Sequence, residues 1–145
     1  MIDFWRLYRA AHGPGLDGAG GLHAAGRWHR LGRRVVYFGA SPAIVVLEKL
    51  AHVDPDVLPG DLLLGRFAGE ASIESATGPL NVSDLTACRA LGERFLDAGG
   101  ACGLRVPSAV LPEESHYLVN ALHPHVSKIR LVSERVFFFD QRLIV

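Results

Sequence analysis

The side chains of this sequence best suited to chemistry on a charged small molecule are Arg27, Tyr37 and Glu48, spaced 10 and 11 positions apart (37−27 and 48−37). A guanidinium's planar fork matches phosphate oxygens bidentately. A phenol in an apolar strand is core by default and must find a hydrogen-bond partner, which a ligand can supply. A lone carboxylate at a cleft rim can stabilise a cationic transition state such as an oxocarbenium ion. Glu48 has a plainer reading as well, a solvent-facing residue on the one wet edge of its helix. No pair of carboxylates at glycosidase spacing accompanies it, so ordinary sugar hydrolysis has weak support.

Arg27 opens a run of four arginines in eight residues, with Arg30, Arg33 and Arg34. Three readings stand for this run: a solvated hairpin, a phosphate clamp or a nucleic-acid patch. Only Trp28 interleaves it, and base-stacking grooves need more aromatics, so the pyrophosphate of a small molecule fits better than a polymer. Arg6, on a separate strand, would add a second cation to the same pocket. Ser108 in VPSAV lacks a G-x-S-x-G elbow and reads as a hydrogen-bond donor to a ligand oxygen. His116, His123 and His125 read as turn residues, since a proline separates the last two and no carboxylate joins them at metal-ligand spacing. No metal is expected. Gly13, Gly15 and Gly18 form a G-x-G-x-x-G, but Gly20 and Gly21 follow where a dinucleotide fingerprint requires a helix. That match is read as chance, within a flexible loop.

The elements that must position these groups follow from pattern. Phe4–Arg9 reads as a strand, with Trp5 and Leu7 on one face. Ala25–Arg30 and Arg34–Phe38 predict a β-hairpin around Gly32. Ser41-Pro42 is a helix start, and Pro42–His52 is apolar on nearly every face, as buried helices are. Leu62–Ala68 predicts a strand that Ile73-Glu74 continues. Asn81–Asp97 predicts a surface helix closed by Gly99-Gly100. Ala101–Val110 predicts a strand interrupted at Pro107-Ser108. His116–Leu122 predicts a short turn or helix, and Lys128–Phe139 the longest strand. Strands and helices without regular βαβ alternation indicate an α+β domain with a mixed, largely antiparallel sheet.

The 145 residues suit one compact domain, residues 1–145. Half of them are hydrophobic (49%), which argues against disorder, and 15 basic residues balance 15 acidic ones. A protein built to grip nucleic acid is usually basic overall, so direct nucleic-acid binding is the less favoured class. The start of the sequence has neither a basic region nor an apolar core of a signal peptide, and no apolar run approaches 18 residues. The expectation is a cytoplasmic protein without membrane contact. Cys88 and Cys102, with no CxxC, read as reduced, partly buried thiols. Neutral charge and the apolar Phe137–Phe139 suggest self-association, as a homodimer or higher assembly, or a standing partner.

Taken together, WRLYR near the start, GRWH, VVYFGASPAIVVLE, LRVPSAVLPEESHYLVNALHP and the final FDQRL resemble the RES-domain family of toxins from RES–Xre toxin–antitoxin pairs. The resemblance runs through essentially the whole chain. It implies a fold similar to the catalytic core of ADP-ribosyltransferases and the consumption of NAD⁺ as substrate. Members cleave the nicotinamide–ribose bond and pass ADP-ribose to water, phosphate or, in some cases, a host protein, and a cognate Xre-type DNA-binding antitoxin silences them. The family's arginine, tyrosine, glutamate and serine correspond to Arg27, Tyr37, Glu48 and Ser108, and Arg6 to a second arginine. The roles so implied are pyrophosphate binding by Arg6 and Arg27, contact of Tyr37 with the nicotinamide–ribose end, stabilisation of the ribosyl cation by Glu48, and orientation of ligand oxygens by Ser108. The sequence departs from the family in three places. Many members carry Asn before the Tyr-Leu, where His116 precedes Tyr117-Leu118. Many carry Asn-Pro before the final His-Pro, where Asn120-Ala121-Leu122 stands. A tryptophan is absent near Phe95 and Leu96.

Overall fold

Alternation of large apolar side chains builds the strands around which everything else packs. The computed structural model describes residues 1–144. β1 (Ile2–Arg9) sends Phe4 and Tyr8 into one apolar layer and Trp5 and Leu7 into another. A four-residue helix α1 (Gly20–His23) precedes β2 (Val35–Gly39), which leads into α2 (Pro42–His52). Then come β3 (Leu62–Gly69), β4 (Ile73–Ser75), α3 (Leu85–Ala98), β5 (Gly103–Pro107), β6 (Ser115–Asn120) and β7 (Arg130–Val136). The strands form one seven-stranded sheet in the order β4-β5-β6-β2-β1-β3-β7. Its pairings are antiparallel except β4 with β5, which run parallel across the α3 crossover.

Two helices cover one face of the sheet. α3 lays Cys88, Phe95 and Leu96 against Val35, Leu104, Val106 and Leu118. α2 sets Val45 against Leu62 and Leu64, joined by Phe137 and Phe139. The opposite face holds an aromatic cluster of Phe4, Phe38, Phe67 and Tyr117 with ring centroids 5.0–5.3 Å apart. Such tilted and edge-on pairs add to simple burial.

The α+β class and the largely antiparallel sheet match the sequence reading, and five local expectations are corrected. Residues 25–30 form no strand: Gly26 N–H donates to the His29 carbonyl in a tight turn, and Trp28 is buried under α3. The hairpin's first arm packs on a helix instead of a strand. Of the expected turn or helix at His116–Leu122, residues 116–120 lie within β6, a central strand covered on both faces, where apolar Tyr117, Leu118 and Val119 run together without the polar alternation of a half-exposed strand. Ile73-Glu74 does not extend β3 but forms β4 at the far edge. α2 is not enclosed all round: only Ile44 and Val45 are buried, and Leu47 is exposed. The last strand ends at Val136, after which Phe137 and Phe139 enter the core and only Phe138 projects to solvent. Cys88 and Cys102 are unpaired and fully buried.

Glycine fits α3 to the segment before β2. A Cβ at Gly92 would overlap the Trp28 carbonyl oxygen, a backbone atom that cannot swing aside. Gly92→Ala gains about 1 kcal/mol of helix propensity but overpacks a rigid contact, which costs about 1–3 kcal/mol or more. The expected outcome is net destabilisation, read as a lower denaturant midpoint with an unchanged m-value. A variant as stable as wild type would show that α3 does not press on Trp28.

Candidate functional site

β1 and β2 are neighbours in the sheet, yet they pair at one position only, Trp5 with Gly39. Beyond it the strands part, and Arg6 spans the gap. Its Nη1 donates to the Tyr37 carbonyl at 2.9 Å and its Nε to the Pro14 carbonyl at 2.8 Å. Burial pushes the Arg6 pKa below its ordinary value, yet an arginine stays charged in proteins. Arg6 has no carboxylate partner among the described residues, so its charge is not cancelled locally. The Pro14 contact fixes the loop with Gly13, Gly15 and Gly18, all in the left-handed region. That loop lines a cavity of about 750 Å³ with Arg6, His12, His23, His29, Tyr37 and Lys49. It is anchored here, and no long helix opens inside its glycine motif.

Two smaller chambers adjoin. One of about 240 Å³ is lined by Arg6, Tyr37, Glu48, Lys49, His52 and His116. The other, of about 250 Å³, is lined by Arg27, Trp28, Tyr37, Glu48, His52 and His116. Tyr37 borders all three and Glu48 the two smaller ones, so the chambers meet around these side chains. The 750 Å³ cavity falls in the range of small-molecule sites.

Glu48 reaches this junction because α2 begins at a firm stop. Ser41 caps the helix by accepting from Ile44 N–H, and its hydroxyl donates to Glu114 at 2.6 Å. Gly39 lets α2 lie close to β2: a Cβ there would meet Val45 and Ile44 at 2.5 and 2.7 Å. Glu48 lies three and four residues beyond that buried pair, hence on the inner face of the helix. Its side chain is 22% exposed, which removes the solvent-facing reading.

Ser108 is fully buried and lines none of the three chambers. Its oxygen accepts from Val110 and Leu111 N–H at 3.1 and 3.2 Å. Both lone pairs are thereby used, and the proton goes to Glu48 Oε1 at 2.7 Å. The expectation that Ser108 orients ligand oxygens is corrected: it orients the glutamate. His116 Nε2 lies 3.2 Å from the same Oε1, off the line of a good hydrogen bond, so this buried nitrogen has no well-aligned partner. Glu48 Oε2 accepts no hydrogen bond among the described residues, the nearest cationic atom being His52 Nδ1 at 3.9 Å. His116 foremost, then Ser108, hold the Glu48 pKa down to about 2 against the opposing effect of desolvation. The carboxylate therefore stays ionised at any ordinary pH.

Tyr37 lies between the two arginines. Its hydroxyl is 2.6 Å from His29 Nδ1 and accepts from Trp28 N–H at 3.3 Å, while His29 Nε2 is 2.8 Å from the Ala24 carbonyl. That carbonyl requires the ring proton on Nε2, so Nδ1 accepts from the phenol. The phenol's partner is thus a histidine of the protein. Burial raises the Tyr37 pKa, keeping it neutral.

Arg27 Nη1 donates to the Val82 carbonyl at 2.6 Å and its side chain borders the chamber with Glu48. Arg6 and Arg27 thus stand in different chambers, joined at Tyr37, and do not form one clamp. Two other arginines of the basic run are committed elsewhere. Arg33 pairs with Glu93 and Asp97 of α3, and Arg34 donates to the Asp17 carbonyl.

His116 and His29 were not singled out by the sequence reading as members of the site. For His116 the available signal was its place in a Tyr-Leu-Val segment of high β propensity, which alternation would have aimed at one face. For His29 no spacing signal existed, since a tight turn sets its contact. His123 and His125 sit at a 3-10 turn (Pro124–Lys128), as expected of turn histidines. Among the described residues, no helix is long and apolar enough to cross a membrane.

Comparison with known proteins agrees with this architecture. The RES domain family model matches residues 3–140. "Toxin Res" of Pseudomonas putida is 38% identical over 143 residues, covering 94% of this chain and 98% of that protein. The "Prs ADP-ribosylating toxin" of Sphingobium sp. is 31% identical over 159 residues, covering 98% and 96%. Among solved structures, the M. tuberculosis MbcT–MbcA toxin–antitoxin complex contains a chain that superposes with a TM-score of 0.76 at 18% identity, covering 94% of this chain and 84% of that one. The shared fold and the match over nearly the full length lead to one assignment: the chain belongs to the RES-domain family.

Proposed function

We propose that this RES-domain chain is the toxin of a toxin–antitoxin pair that binds NAD⁺ and cleaves the bond between nicotinamide and ribose, passing ADP-ribose to water or phosphate. The observation that carries the reading is the state of Glu48. One oxygen is fixed by Ser108 with His116 Nε2 beside it, and the other is open in a cleft that two unneutralised guanidinium groups border. A permanently ionised carboxylate cannot serve as a general acid, but it stabilises positive charge developing beside it. In NAD⁺ the bond between ribose C1′ and the ring nitrogen breaks with its electron pair leaving on nicotinamide. The cation left on the ribose is the species Glu48 Oε2 would face. A nucleophilic oxygen then bonds to C1′, and when water is the acceptor it loses its proton to solvent. Arg6 and Arg27, on either side of Tyr37, would anchor phosphate and ribose oxygens so that the reacting bond is held at the carboxylate. The acceptor needs no covalent enzyme intermediate.

The names of the relatives and the presence of an antitoxin beside the structural neighbour support a cognate antitoxin for this chain, and the family resemblance implies one of the Xre DNA-binding type. The proposal puts the activity in the cytoplasm, where NAD⁺ is consumed and the antitoxin is made.

Incubation with NAD⁺ and measurement of free nicotinamide tests the reading. Glu48→Gln, which keeps shape and removes charge, is expected to lower kcat by about 100- to 1,000-fold with a small change in KM. Equal rates for wild type and variant would remove Glu48 from catalysis.

The lowered pKa also has a stability consequence. A carboxylate with a depressed folded-state pKa stabilises the fold at pH values above its unfolded value of 4.5, and that contribution is lost as pH falls towards about 2. Acid unfolding of wild type is expected to include this component, and Glu48→Gln to lack it. Superimposable acid-unfolding curves would contradict the pairing.

A second reading is favoured by the Sphingobium relative, whose name describes it as ADP-ribosylating Prs: this chain transfers ADP-ribose to one host protein. Adding NAD⁺ labelled in its adenylate half to a cell lysate separates the two. Soluble labelled ADP-ribose or its phosphate favours degradation, and a single labelled protein band favours transfer.

A further inference from the structure

The imidazole of His116 is the one group of the cleft whose contacts no general requirement of the reaction explains. It projects from central strand β6 between two acceptors, with Nδ1 3.3 Å from the Phe38 carbonyl and Nε2 3.2 Å from Glu48 Oε1. Its side chain is 13% exposed, and Nε2 itself is sealed from solvent. Nε2 therefore meets the carboxylate and not a substrate. The charged and titratable groups sharing its two chambers are Glu48, Lys49 and His52 from α2, Arg6 from β1, Tyr37 from β2, and Arg27. Glu48 is the only carboxylate among them, so any positive charge His116 carries falls on Glu48.

We propose that His116 is a positioning residue that holds Glu48 by its Oε1 edge, and that a proton on His116 offsets the Glu48 charge and slows the cleavage step. The inference rests on the reading of Glu48 given above. Both ring nitrogens face acceptors, so the imidazolium turns an N–H towards each, the one at Nε2 off the line of a good hydrogen bond. In that state the cleft contains an ion pair, and Glu48 offers less net negative charge to a developing ribosyl cation. A neutral ring protonated at Nε2 still turns that N–H towards Oε1 and gives up only the contact to Phe38. It keeps the carboxylate in place while leaving its charge uncancelled. The enzyme is thus geometrically complete in both states and electrostatically complete in one.

Two variants separate holding from charging. His116→Gln places an amide N–H where Nε2 stands and cannot ionise. His116→Ala removes both functions. Steady-state nicotinamide release should give a wild-type kcat that rises with pH over one proton, while His116→Gln gives a kcat that does not vary with pH. His116→Ala should lose about tenfold or more in kcat at all pH values through misplacement of Glu48, with KM for NAD⁺ little changed. A ¹³C-carboxyl titration of Glu48 by NMR supplies a readout independent of turnover. The carboxyl should titrate at clearly higher pH in His116→Ala than in wild type. A His116→Gln enzyme with the wild-type pH profile overturns the charge effect, and an unmoved Glu48 titration in His116→Ala overturns the positioning. If wild type releases no nicotinamide, the NAD⁺ reading fails, and the carboxyl titration still decides whether His116 holds Glu48.

Discussion

The site depends on a sheet that comes apart in its middle. β1 and β2 share a single paired position, Trp5 with Gly39, whereas β1 pairs along its whole length with β3, and β2 with β6. Separating two central strands costs the hydrogen bonds of a ladder, and buried backbone groups left without partners are expensive. Arg6 meets that cost by donating to the Tyr37 carbonyl across the gap. Its own desolvation is offset by two carbonyl acceptors. A carbonyl, unlike a carboxylate, leaves the guanidinium's full charge available. The residue that closes the backbone defect is therefore also the one that makes the resulting gap attractive to an anion.

The second constraint fixes α2 relative to the segment between β5 and β6. Ser41 and Glu114 join them at the start of the helix, and Ser108 and Glu48 join them two turns later. The backbone adds Ala40 N–H to the Ser115 carbonyl and Ser108 N–H to the Glu114 carbonyl. Two tethers along one helix suppress rotation about its axis as well as translation. A carboxylate with the role proposed for Glu48 must keep its orientation in a site that partly excludes water, where a small displacement is costly. Ser108 serves that end from inside the protein, and it needs no exposure to the ligand.

Local chemistry was legible in the sequence wherever one short segment decided the outcome. Ser41-Pro42 announced the start of α2, Gly99 the end of α3, and the alternation in β1 and β3 gave strands with near-correct bounds. The reading failed where tertiary contacts override local pattern. Residues 25–30 look like a hairpin arm until Trp28 is seen to be buried beneath Gly92. β6 looks like a turn because a central strand lacks the polar alternation that marks a half-exposed one, and Pro124 lies just beyond it. Of the site, the residue types were legible and their division of labour was not. That Arg6 and Arg27 stand on opposite sides of Tyr37, and that Ser108 faces Glu48, depends on strands distant in sequence. His116 was passed over because three nearby histidines suggested a cluster, while only the strand register directs this one towards Glu48.

The zero net charge of the chain conceals an uneven distribution that bears on what the cleft will accept. Four arginines are matched with carboxylates: Arg9 with Asp61, Arg33 with Glu93 and Asp97, Arg66 with Asp3, and Arg142 with Asp140. Within the cleft, Arg6 and Arg27 bond to carbonyl oxygens, and Lys49 has no ion pair among the described residues. Positive charge that no carboxylate offsets thus borders the chambers, where low-dielectric walls focus its field. A polymer would need such charge along an extended face, and here it lies inside chambers that meet at one phenol. Glu48 is the sole carboxylate in the two smaller chambers, and its open oxygen faces the groups that attract the anion. An anionic substrate drawn in by the cations must also present a positive centre to that oxygen, a requirement that a dinucleotide with a cationic ring at one end meets and a simple phosphate ester does not.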